Sequence, residues 1–528
     1  MAPAASRIMG PETGPPITRL PTETITNIFL LLTDVHRRDL LTLRAVCKRW
    51  AKQVDSTPAL WTHISTHLGP RMTRHAVEVS ESSSLDIDIG IYPRDDPPSP
   101  DLATENAISA SAVLVQLPRI RTLHIDMEME VEARRQVEDL IVKSPAPRLE
   151  ELDITGVDST SITRLADNLL EGSTPISLRD LQLAQCAVSL RCPLLQATTL
   201  VNLHLENCKV WGSVEQVLES LSLWPRLEMF VWAWPDPVFA EQNDPFVNTF
   251  AVPDISTSEW RGERLLLPHL KTLDLRHEAL ALFALFSRIT PPPSCEITLS
   301  ALVHTIHTEA DEENMRAAMD HTLGAYLARV FSSGTGFTKM AVETPRDFEA
   351  PSYESFPGLS VTWTSPTVAS APSTLKVILD RLEDSPRCKE LPLLEHMMKW
   401  PQASSFLERF DLGRSDFLYE GDVGRDRAKP DVAWKRLLVL LKSIEHLCVR
   451  KDEGLSWLFQ VLQAERTIVP RLKSLYLEET HVEELANLVA LAKWRLNDCS
   501  LHPLVITMKR CTIDFGEEVP QLKIDMNP

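Results

Sequence analysis

Residues that bind metals or transfer protons are the first candidates for chemistry, and the sequence offers two histidine pairs. His63 and His67 lie four residues apart, close enough to share one helical face and a metal ion. No carboxylate or cysteine follows them at ligand spacing, so we interpret both as capping or packing residues. His304 and His307 precede the acidic segment 309–313, but the helix dipole favours acidic side chains beside a helix start. The sequence therefore predicts no metal and no cofactor.

The motifs of common catalytic and nucleotide-binding sites are missing from the sequence. It contains no GxxxxGK[ST] phosphate loop, no GxGxxG loop and no GxSxG nucleophile elbow. Paired carboxylates such as Glu478–Glu479 and Glu483–Glu484 are common surface features. We therefore expect a protein that is not an enzyme. The alternative, an unrecognised enzyme, needs a pocket in the irregular region 281–400.

Composition disfavours several classes of partner. The 528 residues include 54 Lys+Arg and 73 Asp+Glu, which gives a formal charge of −19. This charge argues against nucleic acid, whose binding needs cations that displace counterions, and against an anionic membrane surface. Apolar residues make up 44% of the chain, enough for a sizeable core, yet no stretch approaches the ~20 apolar residues that span a bilayer. Protein partners remain.

The nine cysteines are scattered and form no CxxC pair. Scattered cysteines in odd number predict free, buried thiols in a reducing compartment. The first residues also lack the apolar run of a secretory signal. We therefore expect the protein in the cytoplasm or the nucleus.

The N-terminal region predicts a small helical unit. Residues 1–17, rich in proline and glycine, are expected to form a disordered tail. The first helix of the unit carries apolar residues at i, i+3, i+4 and i+7, namely Ile25, Ile28, Phe29 and Leu32. A second helical stretch covers 39–54, and a short apolar cluster follows Pro58. We predict three helices within 18–66, with Ile28, Phe29, Leu32 and Leu43 in their core.

From residue 110 a different pattern recurs, leucine-x-x-leucine-x-leucine. Its clearer copies are Ile120/Leu123/Ile125, Leu149/Leu152/Ile154, Leu178/Leu181/Leu183, Leu200/Leu203/Leu205, Leu227/Phe230/Trp232, Leu270/Leu273/Leu275 and Leu472/Leu475/Leu477. Weaker copies begin near residues 407, 444 and 506. Apolar residues two apart face one side of a strand, and each short strand needs neighbours to bury that side. Most copies lie in or near the ~20–29-residue period of leucine-rich repeats.

The N-terminal unit resembles an F-box. The match is carried by L-P-x-E-x-I-x-x-I-F, then V-C-K-x-W, then a terminal L-W, which are Leu20, Pro21, Glu23, Ile25, Ile28, Phe29, Val46, Cys47, Lys48, Trp50, Leu60 and Trp61. Together with the repeats, the whole chain resembles F-box proteins with leucine-rich repeats. The resemblance implies a substrate-recognition adaptor of a ubiquitin ligase, in which the F-box binds the Skp adaptor, and through it a cullin, while the repeats recruit a protein target.

The fold class that follows is α/β. It comprises a three-helix F-box at 18–66 and a leucine-rich-repeat solenoid at 67–528, with parallel strands on its concave side and helices on its convex side. Residues 281–400 either continue the stack with degenerate repeats or insert a separate element. A second interpretation keeps this fold but makes the protein an interaction scaffold that delivers no substrate for ubiquitylation.

Two surfaces are candidate binding sites. For the Skp adaptor we select Leu20 and Pro21 first, with contributions from Ile25, Val46 and Trp50; the alternative is that these residues only pack the helical core. The basic residues in 36–52 either steer an acidic partner or form a solvated face. For the target we select outward strand positions, because seven of those in the clearer copies are acidic and only Arg276 is basic, which suits a basic segment: Glu151, Asp153, Asp180, His204 and Glu206.

Overall fold

Two compact units divide the chain, Met1–Thr199 and Leu200–Pro528. The computed structural model describes residues 20–35, 39–90, 100–127, 131–156, 163–234, 250–251, 262–303, 308–332, 337–343, 356–365, 374–381, 390–400, 406–413, 430–450, 455–465, 467–482, 485–497, 501–513 and 517–524.

The first unit begins with helices and continues as a parallel sheet. Its helices are α1 Thr22–Val35, α2 Asp39–Val46, α3 Lys48–Asp55, α4 Gly69–Val79, α5 Pro100–Leu114 and α6 Val131–Val142. Its strands are β1 His63–Ser65, β2 Leu85–Ile89, β3 Ile120–Asp126, β4 Glu151–Thr155, β5 Thr163–Arg164, β6 Asp180–Ala184 and β7 Cys186–Ala187.

The first three helices occupy the predicted helical unit, but the second predicted stretch is two helices. Cys47 separates α2 from α3 because its backbone is extended, with φ −162° and ψ 165°. The thiol of Cys47 is exposed, which corrects the expectation that every cysteine is buried. After α3, a 3₁₀ turn at Pro58–Trp61 folds back, and Trp61 Nε1 donates to the Val54 carbonyl at 2.9 Å.

The core of these helices includes fewer of the predicted residues than the sequence indicates. Phe29 and Leu43 are buried as expected, with Ile25 beside them at 3% exposure. Ile28 and Leu32, also predicted to be core, are exposed. Three short helices have room for one apolar stripe of α1, and the second stripe is left facing outward.

The sheet of the first unit is parallel and in register. β1, β2, β3, β4 and β6 pair in that order, so that one buried row runs through consecutive strands. This row contains Ile64, Ile87, Leu123, Leu152 and Leu181. The sheet starts at His63, inside the predicted helical unit and well before residue 110. The alternating segment 85–89 lacks the leading leucine of the repeat pattern, which is why the sequence analysis missed β2.

Three buried cysteines lie at points where the backbone turns locally, two of them after a strand and Cys511 within β21. Cys186, Cys208 and Cys511 each follow a residue with positive φ, and each thiol lies against a backbone carbonyl: Cys186 Sγ to Ala184 O 3.2 Å, Cys208 Sγ to Glu206 O 3.3 Å and Cys511 Sγ to Leu477 O 3.4 Å. A thiol is a small apolar group with a weak donor, so it fills the turn and still satisfies a carbonyl. Cys388 and Cys499 lie outside the described residues.

The second unit contains the longer part of the strand series. Its strands are β8 Asn202–Glu206, β9 Met229–Ala233, β10 Leu265–Leu266, β11 Thr272–Glu278, β12 Ile289–Thr290, β13 Glu296–Leu302, β14 Lys339–Glu343, β15 Phe356–Thr364, β16 Thr374–Arg381, β17 Arg409–Leu412, β18 His446–Arg450, β19 Ser474–Glu478, β20 His481–Val482, β21 Val505–Ile513 and β22 Glu517–Ile524. Its helices are α7 Val214–Ser222, α8 Ala279–Arg288, α9 Glu309–Met319, α10 Ala325–Ser332, α11 Glu390–Met398, α12 Pro430–Leu440, α13 Leu455–Ala464 and α14 Leu485–Asn497.

The irregular region 281–400 continues the sheet of the second unit. β11 pairs in parallel with β13, and β13 pairs in parallel with β16. β15 is antiparallel to both of its neighbours, β16 and β14, and β14 then pairs in parallel with β17. One reversed strand therefore interrupts an otherwise parallel order here. β15 lies within the proline- and serine-rich stretch 344–373, part of the region that the sequence analysis left open between degenerate repeats and a separate element.

No helix in the described part of the chain is long and apolar enough to cross a membrane.

A buried histidine in β11 adds a polar group to the aromatic core of the second unit. His277 is 2% exposed and its ring contacts Trp232, Trp234 and Phe250, with centroid distances of 5.2, 4.8 and 4.7 Å. A backbone hydrogen bond with Glu278 only partly offsets the burial of this ring. Burial lowers the pKa of His277 to about 3, because the charged imidazolium loses its hydration.

We expect His277→Leu to make the protein less sensitive to mild acid. The unfolded histidine binds a proton near its ordinary pKa of ~6.5, whereas the folded one stays neutral, so its contribution to stability is lost as pH falls below that value. From pH 7.5 to pH 5 this loss is about 2 kcal/mol. Urea unfolding of both proteins at several pH values measures it. Equal pH dependence in the two proteins would contradict the assignment.

Candidate protein-interaction surfaces

The start of α1 presents the first two predicted docking residues. Leu20 is half-buried and Pro21 is exposed at the helix entry. The Leu20 carbonyl accepts a hydrogen bond from Arg49 Nη2 at 3.1 Å, which ties this entry to α3. Pro21 costs no hydrogen bond there because the first turn of a helix leaves its N–H groups unpaired.

The other predicted docking residues differ in exposure. Val46, the last residue of α2, is 56% exposed. Trp50 is half-buried and packs edge-on against Phe29, with ring centroids 4.9 Å apart. Ile25 is buried, which favours the alternative that it packs the helical core rather than contributing to docking. Its side chain lies on the buried side of α1.

The structure adds an apolar helix surface that the sequence analysis did not recognise. It consists of exposed side chains from α1 and α2, namely Ile28, Leu31, Leu32, Leu41 and Val46. Leu31 is 69% exposed, the highest value in this set. The signal was present in the sequence: Ile28, Leu31 and Leu32 form a second i, i+3, i+4 stripe. A cluster of large exposed apolar side chains is typical of a protein-interaction site.

The basic residues near this surface are only partly free. Arg44 pairs with Asp55, Nε to Oδ1 2.8 Å, and Arg49 is engaged with the Leu20 carbonyl. Lys48 and Lys52 are exposed. Arg37 and Arg38 lie outside the described residues. Lys48 and Lys52 therefore remain candidates for steering an acidic partner.

The outward side of the parallel strands in the first unit carries carboxylates. We call this set, Asp86, Asp88, Asp126, Glu151, Asp153 and Asp180, the acidic strand face. Glu151 pairs in register with Asp180, so two of the predicted target-binding residues are direct neighbours on β4 and β6. Asp153 lies two positions along β4 on the same side. The sequence analysis missed Asp86 and Asp88 because it missed β2.

Two histidines are set between these carboxylates. His63 Nε2 lies 3.1 Å from Asp88 Oδ2, and Asp88 is buried. His124 Nδ1 lies 3.5 Å from Asp153 Oδ2, and its Nε2 lies 3.9 Å from Glu151 Oε1. The hydrogen bond to Asp153 is the largest influence on His124 and raises its pKa, with further support from the charges of Asp88, Asp153 and Glu151.

The charge of the acidic strand face therefore depends on pH. Protonated His124 offsets one carboxylate, and loss of this proton leaves the face more negative. Because the folded pKa is raised, the His124 pairing stabilises the fold fully below the ordinary histidine pKa and is lost as pH rises through the folded value. On the same strand series, Arg121 neutralises Asp86 through two hydrogen bonds, Nε to Oδ1 3.1 Å and Nη2 to Oδ2 2.8 Å.

The remaining predicted target-binding residues belong to the second unit. His204 is half-buried and Glu206 is exposed, both on the polar side of β8. Burial raises the pKa of Asp274 on β11, and the nearby His204 opposes this shift. The five predicted residues are therefore split, with Glu151, Asp153 and Asp180 in one compact unit and His204 and Glu206 in the other.

The later strands of the second unit carry the opposite charge excess. Lys339, Arg409 and Arg450 surround Asp411 at 3.0, 2.7 and 3.8 Å, and the carboxylate side chain of Asp411 is only 5% exposed. Arg450 also contacts Glu478, which Lys509 binds at 2.7 Å. Cations therefore dominate the solvent side of this ladder. The expectation of a single acidic face does not extend to it.

The histidine pairs of the sequence analysis do not form a metal site within the described residues. His63 lies in β1 and His67 in the following 3₁₀ turn, so the two do not share a helical face. No group of three or more metal-ligating side chains occurs in the part of the chain that the structure describes. His304 and His307 lie outside it.

Comparison with known families identifies the N-terminal part. Residues 17–67 match the family model of F-box-like domains. This match begins one residue before and ends one residue after the unit that the sequence analysis placed at 18–66. No curated protein matches the chain significantly. The chain therefore carries an F-box-like domain, followed by a mixed α/β region whose sheet is mostly parallel. Domains of this class mediate protein interaction and generally bind the Skp adaptor.

We expect Asp153→Asn to lower the pKa of His124 towards its ordinary value, because the mutation removes the negative charge and replaces a charged acceptor with a neutral one that favours the imidazolium less. Histidine-selective NMR titration of the full chain measures this. Asp167→Asn is a matched control, since Asp167 is an exposed aspartate of the same unit that lies on no strand. An unchanged His124 pKa in the Asp153 variant would contradict the coupling.

Proposed function

We propose that this protein is the substrate-recognition adaptor of a Skp–cullin–F-box ubiquitin ligase. The observation that supports this most strongly is the F-box-like match at 17–67 on helices that expose an apolar surface. The adaptor would act in the cytoplasm or the nucleus. We infer that it is not an enzyme itself, because its task is to hold two proteins near each other.

The apolar helix surface is the proposed contact for the Skp adaptor. Ile28, Leu31 and Leu32 offer adjacent anchors on α1, and Leu41 and Val46 offer two more on α2. Helical anchors at this spacing fit a groove or a facing helix on a partner. Burying each large aliphatic side chain contributes roughly 1.5–3 kcal/mol. Pro21 and Leu20 extend this contact at the entry of α1, and Trp50 borders it.

The parallel strands are proposed to be leucine-rich repeats that recruit the target. Two features support this: the leucine spacing of the sequence and the in-register pairing of the corresponding strands. The acidic strand face gives the first unit a negative potential, which favours a target segment rich in lysine and arginine. Charge of this kind accelerates encounter and selects among partners more than it adds affinity.

The proposed mechanism is an increase in effective concentration. One surface holds the ligase and the other holds the target, so that transfer of ubiquitin from the ligase's carrier enzyme to a target lysine becomes effectively intramolecular. No residue of this chain needs to act as a nucleophile or a base. If the protein binds the Skp adaptor but no bound partner gains ubiquitin, the scaffold interpretation is correct instead.

We expect Leu31→Glu to weaken binding of the Skp adaptor at least about tenfold, because it places a charge in an apolar contact. Purified adaptor titrated against the full chain in calorimetry measures this. Leu266→Glu is the matched control, since Leu266 is 68% exposed in the second unit. Pro21→Ala tests the helix entry in the same assay. Equal affinity of wild type and Leu31→Glu would contradict the assignment.

The link to ubiquitin transfer is tested in cells. The full chain is affinity-purified with and without proteasome inhibition, and cullin and ubiquitin conjugates are measured in the recovered material. We expect cullin in both samples and ubiquitylated partners that accumulate with the inhibitor. Cullin without such conjugates would support the scaffold interpretation, and Leu31→Glu should abolish cullin recovery in either case.

We expect Glu151→Lys with Asp180→Lys to weaken binding of a lysine-rich peptide at least about tenfold at low salt, with a smaller effect at high salt. Fluorescence anisotropy of the labelled peptide measures this. Asp167→Lys with Glu171→Lys is the control, because it changes the net charge equally at exposed positions of the same unit. Equal losses in both double variants would show that only net charge acts.

A further inference from the structure

A polar pocket lies away from the polar strand faces, among the helices of the second unit. Arg264, which directly precedes β10, faces it together with Ser287 at the end of α8. The remaining polar lining comes from His321, Thr322, Tyr326 and Arg329. His321 and Thr322 belong to a π-helical turn, Asp320–Gly324, that joins α9 to α10. We call this site the arginine pocket.

The pocket concentrates positive charge without a counter-charge. Arg264 and Arg329 both line it, and among the described residues no carboxylate forms an ion pair with either guanidinium. Asp320, the nearest acid along the π turn, is engaged elsewhere: its Oδ1 lies 2.8 Å from His396 Nε2 and accepts from Trp400 Nε1 at 2.5 Å. Other arginines of this acidic chain, such as Arg121 and Arg409, are paired with carboxylates.

Arg329 carries an electrostatic cost at this site. Arg329 is half-buried, and its pKa is lowered first by burial and then by the positive charge of Arg264. An anion placed between the two guanidiniums would remove this repulsion. Arginine suits such a ligand, because its planar fork donates two parallel hydrogen bonds to carboxylate or phosphate oxygens.

The surroundings of Arg329 hold it in place. Its guanidinium lies 5.4 Å from the centre of the Tyr326 ring, a cation–π distance, and its Nη1 lies 3.4 Å from Thr290 Oγ1. Tyr326 and Thr322 are themselves buried. The π turn widens the helix locally, a feature that often occurs at functional sites. The cationic lining is therefore supported by a packed wall.

The size of the pocket limits the ligand. Its enclosed part is at the lower limit of the space that one water molecule needs, and the rest is open to solvent. A compact group at the mouth fits this shape, whereas a whole nucleotide does not enter. We propose that the arginine pocket binds a phosphate-type oxyanion between Arg264 and Arg329.

Binding is tested with the full chain and inorganic phosphate, with O-phosphoserine as a second arm. The shift of the thermal midpoint is measured during titration at constant ionic strength, with chloride as the balancing salt. We expect phosphate to raise the midpoint and chloride to leave it unchanged, since only a ligand of the folded state stabilises it. Arg264→Gln should weaken the response at least about tenfold, because it removes charge-assisted hydrogen bonds.

The control variants distinguish anion binding at the arginine pocket from a general screening of the protein's charges by salt. Arg264→Lys keeps the charge and should retain part of the response, and the exposed Arg226→Gln should respond like wild type. Arg264 is itself exposed, so its substitution is not expected to impair folding. A stronger response to O-phosphoserine than to phosphate would identify a phosphorylated side chain as the source, and the reverse would identify the free ion. No phosphate-specific shift in wild type, or equal shifts in Arg264→Gln and wild type, would overturn the proposal.

Discussion

The structure depends on one constraint: a short parallel strand cannot bury its own apolar side, so each strand needs the next one in exact register. The row Ile64, Ile87, Leu123, Leu152 and Leu181 shows this directly, because every member is buried and pairs in register with the next one. The same register aligns the outward positions, which lie about 4.8 Å apart from strand to strand. The register of the buried row thus decides which polar side chains are neighbours on the outward side.

The charged surfaces follow from this alignment. In the first unit it brings His124 against Asp153 and sets Glu151 beside Asp180, which leaves more acids than cations. In the second unit it gathers three cations around the buried carboxylate of Asp411. The two sets of strands therefore differ in the charge of their outward positions, and charge pattern rather than total charge would select a partner of either set.

The sequence predicted the strands wherever the leucine pattern was complete, because apolar spacing alone decides which side of a strand is buried. It failed where other constraints act. β2 has only the alternation Leu85, Ile87, Ile89, and β15 lies in a stretch whose prolines argue against a strand. In the helical unit, spacing showed that α1 is apolar but not which stripe would be covered. Which stripe is covered depends on how much of α1 the neighbouring helices can pack against. For this reason Ile28 and Leu32 were wrongly placed in the core.

The exposed stripe of α1 bears on the proposed function independently of the family match. A unit of about 50 residues is near the lower limit of stable folding, so it gains little by keeping this stripe of three large aliphatic side chains, and two more on α2, in water. Burial of Ile25 and Phe29 already uses the inner stripe, and replacing the outer leucines with polar residues would leave that core intact. A pattern that is unnecessary for the fold and unfavourable for solubility is best explained by a partner that covers it. A similar argument applies to the arginine pocket. Among the described residues no carboxylate pairs with its two guanidinium groups, and a bound anion would supply the missing negative charge.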